Sequence, residues 1–437
     1  MKSPLISDPT SMPNRQIAVG DMFAGELSTP GSGSIPGSAR VVCKLLERLK
    51  TGTLHLTLPD RRMISFGSGA PMAHVRIHDW AVFDAVLSKG DIGFAEGWIS
   101  RAWTSPNLIE VIDLLVSNRQ ALEEIVYGSW WGQLLYRLKH ALNRNNRTGS
   151  RRNIHAHYDL GNEFYSLWLD AGMTYSSALF EGDFSRSLEA AQEAKYRRLF
   201  EQSHLVAGNK VLEIGCGWGG FAQFASERGA AVTGLTISKE QLDYARHRLE
   251  GAQPSSARPA AVQLASVQLL LQDYRDHQGT YDAVVSIEMF EAVGEKYWPS
   301  YFETVSRCLK PGGRASIQSI VIAEDLFERY RRSTDFIQQY VFPGGMLPSR
   351  SKFIEAAERA GLQCVEEFTF GADYAQTLKR WRHSFMEIAE SIQHKGFDQA
   401  FARLWEFYLA YCESAFRYGN TDVVHFTLQK PEGPQTP

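Results

Sequence analysis

The sequence is poor in the features that mark several large protein classes. It has five cysteines, Cys43, Cys216, Cys308, Cys364 and Cys412, which are scattered, odd in number and without a CxxC pair. That spacing argues against a disulfide framework or a thiolate zinc site and fits a reducing, cytoplasmic compartment. No run of about 18 apolar residues is present to span a bilayer. Any membrane contact is therefore expected to be peripheral, at the inner face. No apolar stretch follows Lys2, and no signal peptide is predicted. Positive charge is not in excess either. The 46 Lys and Arg face 49 Asp and Glu, a net charge of −3, so no nucleic-acid partner is expected.

What is present suffices for two domains and a sizeable core: 437 residues, 44% hydrophobic and 22% charged. Residues 1–38 include "GELSTPGSGSIPGSAR", too rich in Gly, Ser and Pro to bury a face, and are expected to be disordered. Residues 39–145 read as a small mixed α/β domain. There "GTLHLTL" and "HVRI" alternate as strands do, while "WAVFDAVLSKG" and "NLIEVIDLLVS" have helical periodicity. Between 129 and 153, Trp130, Leu134, Leu135, Leu138 and Leu142 share a helical face. Arg137, Lys139, Arg144, Arg147, Arg151 and Arg152 follow without an acid among them. Such a helix suits an anionic lipid surface, although a packed helix with a solvated linker has the same pattern.

Residues 146–437 form the larger domain. From 189 onward "KVLEIG", "AAVTGLTIS", "VQLLLQD", "YDAVVSIE" and "RASIQSIVI" read as strands. Helices such as "GFAQFASERG", "KEQLDYARHRLEG" and "YFETVSRCLKPGG" alternate with them, the last stopped by Pro-Gly-Gly. This order predicts a doubly wound, mainly parallel α/β sheet. "GLQCVEEFTF" and "VVHFTLQK" add two strands around an aromatic-rich helical stretch.

The chemistry centres on "VLEIGCGWGGFA", 211–222, where Gly215, Gly217 and Gly220 fit GxGxxG between a strand and a helix. A dinucleotide site normally adds an acid about 20 residues past the first glycine, for the ribose. Here that place is "GLTIS", which has none, and Thr236 and Gln241 are the polar groups available. Asp273 and Tyr274 of "LLQDY" follow the next strand, where an adenine edge would lie. S-adenosylmethionine, which has no pyrophosphate, fits this pattern better than a dinucleotide.

Seven segments, "HAHYDLGNEFYSLWLDAGMTYSSALFEGD", "VLEIGCGWGG", "GLTISKEQ", "LQDYRD", "SIEMFEAVG", "YVFPGGMLPS" and "FGADYAQTL", occur in this order. Together they resemble the cyclopropane-fatty-acyl-phospholipid synthase family from about 150 to the C-terminus. The resemblance implies a Rossmann-like class I methyltransferase fold with a mainly parallel seven-stranded sheet and helical lid insertions. It also implies a smaller N-terminal lipid-engaging domain. The implied reaction carries a methylene from S-adenosylmethionine onto the cis double bond of an unsaturated phospholipid chain. By resemblance, Tyr175 and Ser176 line the cofactor, and Gly215 and Gly217 lie under its methionine part. Thr236 and Gln241 take the ribose, and Asp273 and Tyr274 the adenine. Glu291 and Tyr374 match positions that hold a bicarbonate ion, and Cys412 matches a cysteine labelled as active-site. The family often dimerises, so a homodimer is implied.

Two residues depart from the pattern of the ring-forming members. Ser177 stands in place of Cys, and Gln318 in place of His, both in the bicarbonate pocket. Either can hydrogen-bond an anion, but neither relays a proton as His does. A methyl- or methylene-branched product is therefore the alternative to a ring. A small-molecule N-methyltransferase and a lipid-surface protein with a dead site are further alternatives. Methyl addition to an alkene leaves a carbocation, which needs a dry pocket, and aromatic faces can steady it. Trp381, Phe385, Trp405, Phe407, Tyr408, Tyr411 and Phe416 are the aromatic candidates, with plain core packing as the other reading. The stretch 325–349 reads as an insertion over the pocket mouth, with Arg329, Arg331 and Arg332 available to a lipid headgroup or to solvent.

Overall fold

A computed structural model of the chain describes residues 35–122, 160–251 and 265–433. The first unit opens with helix α1 (Gly37–Leu46), so the last residues of the stretch expected to be disordered already belong to a helix. Strands β1 (Gly52–Thr57), β2 (Met63–Ser68), β3 (Met72–Ile77) and β4 (Trp103–Thr104) form a sheet of order β2-β1-β3-β4. Alternation puts Leu54 and Leu56 of β1, and Ala73, Val75 and Ile77 of β3, on its buried face. Strand β2 has no such alternation, because at the sheet edge it buries only Phe66. Helices α2 (Ala81–Lys89), α3 (Asp91–Ile99) and α4 (Leu108–Ser117) complete the unit. The basic stretch 129–153 and the expected domain boundary lie outside the described residues.

Trp103 is the centre of this unit. It is fully buried, stacks 4.2 Å from the ring of Phe94 and donates its indole N–H to the Phe94 carbonyl at 2.8 Å. Gly97 makes the approach possible, since a Cβ there would lie 2.7 Å from the indole.

The second unit begins with α5 (Gly161–Ser166) and α6 (Leu188–Gln202), the latter capped by the Ser187 hydroxyl. Then follow β5 (Lys210–Ile214), α7 (Gly220–Glu227), β6 (Ala231–Thr236), α8 (Lys239–Gly251), β7 (Val267–Leu271), β8 (Tyr281–Ile287), α9 (Trp298–Cys308) and β9 (Leu309–Ile322). Helices α10 (Glu324–Tyr330) and α11 (Arg350–Arg359), strand β10 (Gln363–Thr369), helices α12 (Gly371–Ile388) and α13 (Gln399–Arg417) and strand β11 (Thr421–Gln429) complete it. The seven strands lie in the order β10-β11-β9-β8-β5-β6-β7, parallel from β9 to β7, with β11 antiparallel to both its neighbours. This is the doubly wound, mainly parallel sheet that the alternation predicted. The order reverses between β5 and β8, so a crevice opens at their carboxyl ends.

One helix end differs from its prediction. Helix α9 stops at Cys308, and Pro311, Gly312 and Gly313 lie within β9. Backbone bonds from Gly312 to Lys430 and from Lys430 to Gly313 carry the chain through this irregularity, where the β8–β9 register shifts.

The two units share one apolar core, in which Trp98 and Leu108 join Phe401 and Phe407. Polar bonds reinforce it. Arg403 donates to the Trp98 carbonyl at 2.6 Å with its guanidinium 3.8 Å from the Trp98 ring, and Asp113 accepts from Ser414 and Arg417. No described helix is long and apolar enough to cross a membrane. Trp103→Ala is expected to cost about 3–5 kcal/mol of stability in denaturant unfolding, through lost burial and the cavity left behind. A loss below about 1 kcal/mol would contradict this placement of the core.

Candidate active site

The turn between β5 and α7 needs its glycines for two different reasons. Gly215 has φ +84°, and a Cβ there would lie 2.8 Å from Met289. Gly217 has φ +50°, and a Cβ there would meet nothing within 4 Å, because it borders a cavity. That cavity, about 340 Å³, occupies the crevice at the strand ends. All eight residues expected to hold the cofactor border it.

Their partners are now defined. The Thr236 hydroxyl donates to Gln241 at 3.2 Å and accepts the Ser238 N–H at 3.1 Å. The Asp273 carboxylate is gripped by Arg275, Nε to Oδ1 at 2.8 Å and Nη2 to Oδ2 at 2.5 Å. Burial pushes the Tyr274 phenol up to about 12. The Tyr175 and Tyr408 hydroxyls lie 2.8 Å apart. Ser176 accepts from the fully buried Lys195 at 2.5 Å, and burial lowers that ammonium to about 7. Lys195 went unnoticed in the sequence, where it reads as one more polar residue of helix α6.

Glu213 lines the same cavity. It is buried, its Oε2 has no hydrogen-bond partner among the described residues, and burial raises its carboxyl well above the ordinary range. A buried acceptor lacking a donor costs stability until a ligand supplies one. The ammonium of S-adenosylmethionine can, so the residues present fit this cofactor.

Of the five residues expected to carry chemistry, Glu291, Tyr374 and Cys412 border the cavity, whereas Ser177 and Gln318 lie fully buried behind it. Three of the five, Ser177, Gln318 and Tyr374, are linked by Glu288, a residue the sequence reading passed over. Its Oε1 accepts from the Ser177 N–H at 2.8 Å and from Gln318 Nε2 at 2.6 Å, and its Oε2 accepts from the Tyr374 hydroxyl at 2.8 Å. Burial raises the Glu288 carboxyl, and the charge of Lys195 opposes the rise. Ser177 turns its own hydroxyl away, to the Ala178 carbonyl. Three of the four residues implied for the bicarbonate pocket thus donate to a side-chain carboxylate.

Glu291 takes bonds from the Ser319 hydroxyl at 3.0 Å and from the Ile320 N–H on Oε1, while its buried Oε2 has no partner among the described residues. Burial, then the neighbouring Glu288 charge, pushes it up to about 8. Burial likewise raises the Cys412 thiol, so it stays protonated at neutral pH and is no nucleophile.

The aromatic candidates divide. Tyr408, Tyr411 and Phe416 border the cavity, whereas Trp381, Phe385, Trp405 and Phe407 are buried in the core without reaching it. The insertion 325–349 does cover the cavity, which Tyr330, Asp335, Gln338, Phe342 and Met346 all border. Two of its arginines are engaged by neighbouring acids, Arg331 with Glu295 at 2.8 Å and Arg332 with Glu328 at 3.3 Å.

Gly217→Val should weaken S-adenosylhomocysteine binding at least about tenfold in calorimetry, since its side chain projects into the cavity from a left-handed backbone. Unchanged affinity would remove the ligand from this corner. A second expectation concerns pH. Folded Glu291 keeps its proton to about pH 8, whereas an unfolded Glu releases it near about 4.3. Between those values the folded state binds more protons, so this group makes stability fall as pH rises. Glu291→Gln should therefore raise the melting temperature relative to wild type more at pH 8 than at pH 4. Equal shifts at both would show that Glu291 titrates normally.

A family model described as mycolic acid cyclopropane synthetase matches residues 145–426. Tuberculostearic acid methyltransferase UfaA1 of Mycobacterium tuberculosis is 35% identical over 429 residues, 95% of this chain and 96% of that protein. Cyclopropane-fatty-acyl-phospholipid synthase of Escherichia coli is 34% identical over 373 residues, 82% and 88% of the two chains. Among solved structures, mycolic acid cyclopropane synthase CmaA1 complexed with SAH and CTAB aligns with a TM-score of 0.57 at 30% identity. That alignment covers 64% of this chain and 98% of the other.

Proposed function

Because the chain belongs to the mycolic acid cyclopropane synthetase family and is an S-adenosylmethionine-dependent methyltransferase, we propose that it builds a cyclopropane ring on the cis double bond of an unsaturated phospholipid chain. The observation that carries this reading is one cavity holding both a glycine corner and the aromatic faces of Tyr408, Tyr411 and Phe416. S-adenosylmethionine supplies a methyl already activated on a sulfonium, so the alkene needs no prior deprotonation. Gly215 and Gly217 admit its methionine part, with Glu213 available to its ammonium. Thr236 and Gln241 face the ribose, and Asp273 and Tyr274 the adenine.

The remaining work falls to the protein. It must align the double bond, keep water from the cation left on the acyl chain, and accept a proton from the new methyl group. The insertion 325–349 and the aromatic wall exclude water. Glu291 holds its proton below about pH 8, so at neutral pH it donates a hydrogen bond rather than accepting the proton. A phospholipid substrate sits in a bilayer, so this reading includes peripheral contact with a membrane face.

A second reading is a methylene-branched chain. Ser177 and Gln318, which stand in place of Cys and His, favour it. The two outcomes part at one event. Direct loss of a methyl proton closes the ring, whereas migration of a hydride first moves the cation and leaves a methylene group. The products have equal mass, so the test is proton NMR of fatty esters recovered after incubation with labelled S-adenosylmethionine and unsaturated phosphatidylglycerol vesicles. Upfield ring protons are expected, olefinic methylene protons would establish the second reading, and no label in lipid would overturn both.

A further inference from the structure

Glu288 follows β8 with φ +47°, a left-handed backbone conformation that favours glycine. A residue held there is over-determined by its surroundings, and here the surroundings are the three donors on its carboxylate. They come from distant parts of the chain: Ser177 before α6, Gln318 in β9 and Tyr374 in α12. Gln318 is itself oriented, because its Oε1 meets His425 Nε2 at 2.9 Å, which leaves its amide N–H for Glu288. A carboxylate and a bicarbonate ion share a planar O–C–O unit with one negative charge. The donors implied for the ion are thus met by an equivalent group attached to the chain.

We propose that Glu288 replaces bicarbonate in this protein and takes the proton lost from the newly added methyl group. The proposal rests on the methylation reading above. In the step, one C–H bond of the new methyl breaks and its electron pair forms the third ring bond to the cationic carbon. After a hydride shift, the same pair forms the methylene double bond instead. The proton passes to a Glu288 carboxylate oxygen and then to solvent as product leaves. No further reactant is consumed. Burial raises the basicity of this carboxylate, while Lys195 and the three donors oppose the rise.

The test uses the full chain in buffer stripped of carbon dioxide, with sodium bicarbonate as the probe. Wild-type lipid labelling should be unchanged when bicarbonate is added. Glu288→Gly should be at least about 100-fold slower and should recover with bicarbonate, because the emptied donors accept the ion. Glu288→Gln, whose amide still fills the space, should be slow and not recover. Stimulation of the wild type by bicarbonate, or full activity of either variant in stripped buffer, would overturn the proposal.

A second readout does not depend on lipid turnover. In carbon-13 NMR, labelled bicarbonate should bind Glu288→Gly and not the wild type. Binding to the wild type would overturn the proposal. If the wild type labels no lipid, the methylation reading falls, while this comparison still decides whether Glu288 occupies the anion site. The glycine variant relieves a left-handed φ but leaves three donors without an acceptor, so bicarbonate should raise its melting temperature and leave that of the wild type unchanged.

Discussion

Three carboxyl groups, Glu213, Glu288 and Glu291, meet around one cavity at the carboxyl ends of two adjacent parallel strands, and burial raises each of them. Such groups must be neutralised, paired or left for a ligand. This protein uses all three solutions side by side. At Glu288, three donors and the nearby Lys195 oppose the rise that burial imposes on its carboxyl. Glu291 keeps its proton to about pH 8, because burial first and the neighbouring Glu288 second disfavour its charged form. Glu213 presents a bare oxygen at the glycine corner. The cavity between them can therefore be dry and still hold a definite pattern of charge.

The parallel topology makes that arrangement possible. Because β5 and β8 run the same way on either side of the switch point, both strands deliver their following residues to one edge. The cover over that edge comes from the insertion after β9 and from α13, and both lean on the first unit. Asp91 of α3 accepts the Phe336 N–H and the Tyr411 hydroxyl, each at 3.1 Å, and Glu96 accepts the Tyr340 hydroxyl at 2.7 Å. Two residues that border the cavity, Asp335 and Tyr411, are thus held or flanked by contacts with the N-terminal unit. The small domain is part of the pocket's support as well as an extension of the chain.

The cofactor side was legible because its signals are local. A strand, a glycine turn and a helix lie within about a dozen residues, and Thr236, Gln241, Asp273 and Tyr274 at the next two strand ends border the same cavity. The chemistry side was legible only in part. Glu291 and Tyr374 stood out by resemblance, while Glu288 lay three residues upstream in "SIEMFEAVG" and went unremarked. Nothing near it in sequence marks a caged carboxylate, since its donors are residues 177, 318 and 374. The one local hint is a bulky residue directly after a buried strand, at a turn where its φ proves to be positive. The aromatic stretch misled in a similar way. Helical spacing cannot tell which of Trp405, Phe407 and Tyr408 faces the core and which faces a cavity within it.

By itself the sequence determined the element order, the parallel sheet and the place of the glycine turn between β5 and α7. Each depends on periodicity, turn chemistry or composition, which act over a few residues. The tertiary structure alone decided which carboxyl groups are held by donors, which aromatics see the cavity, and that Ser177, Gln318 and Tyr374 converge on Glu288. Those outcomes depend on burial and on donors brought together from far along the chain, and folding sets both.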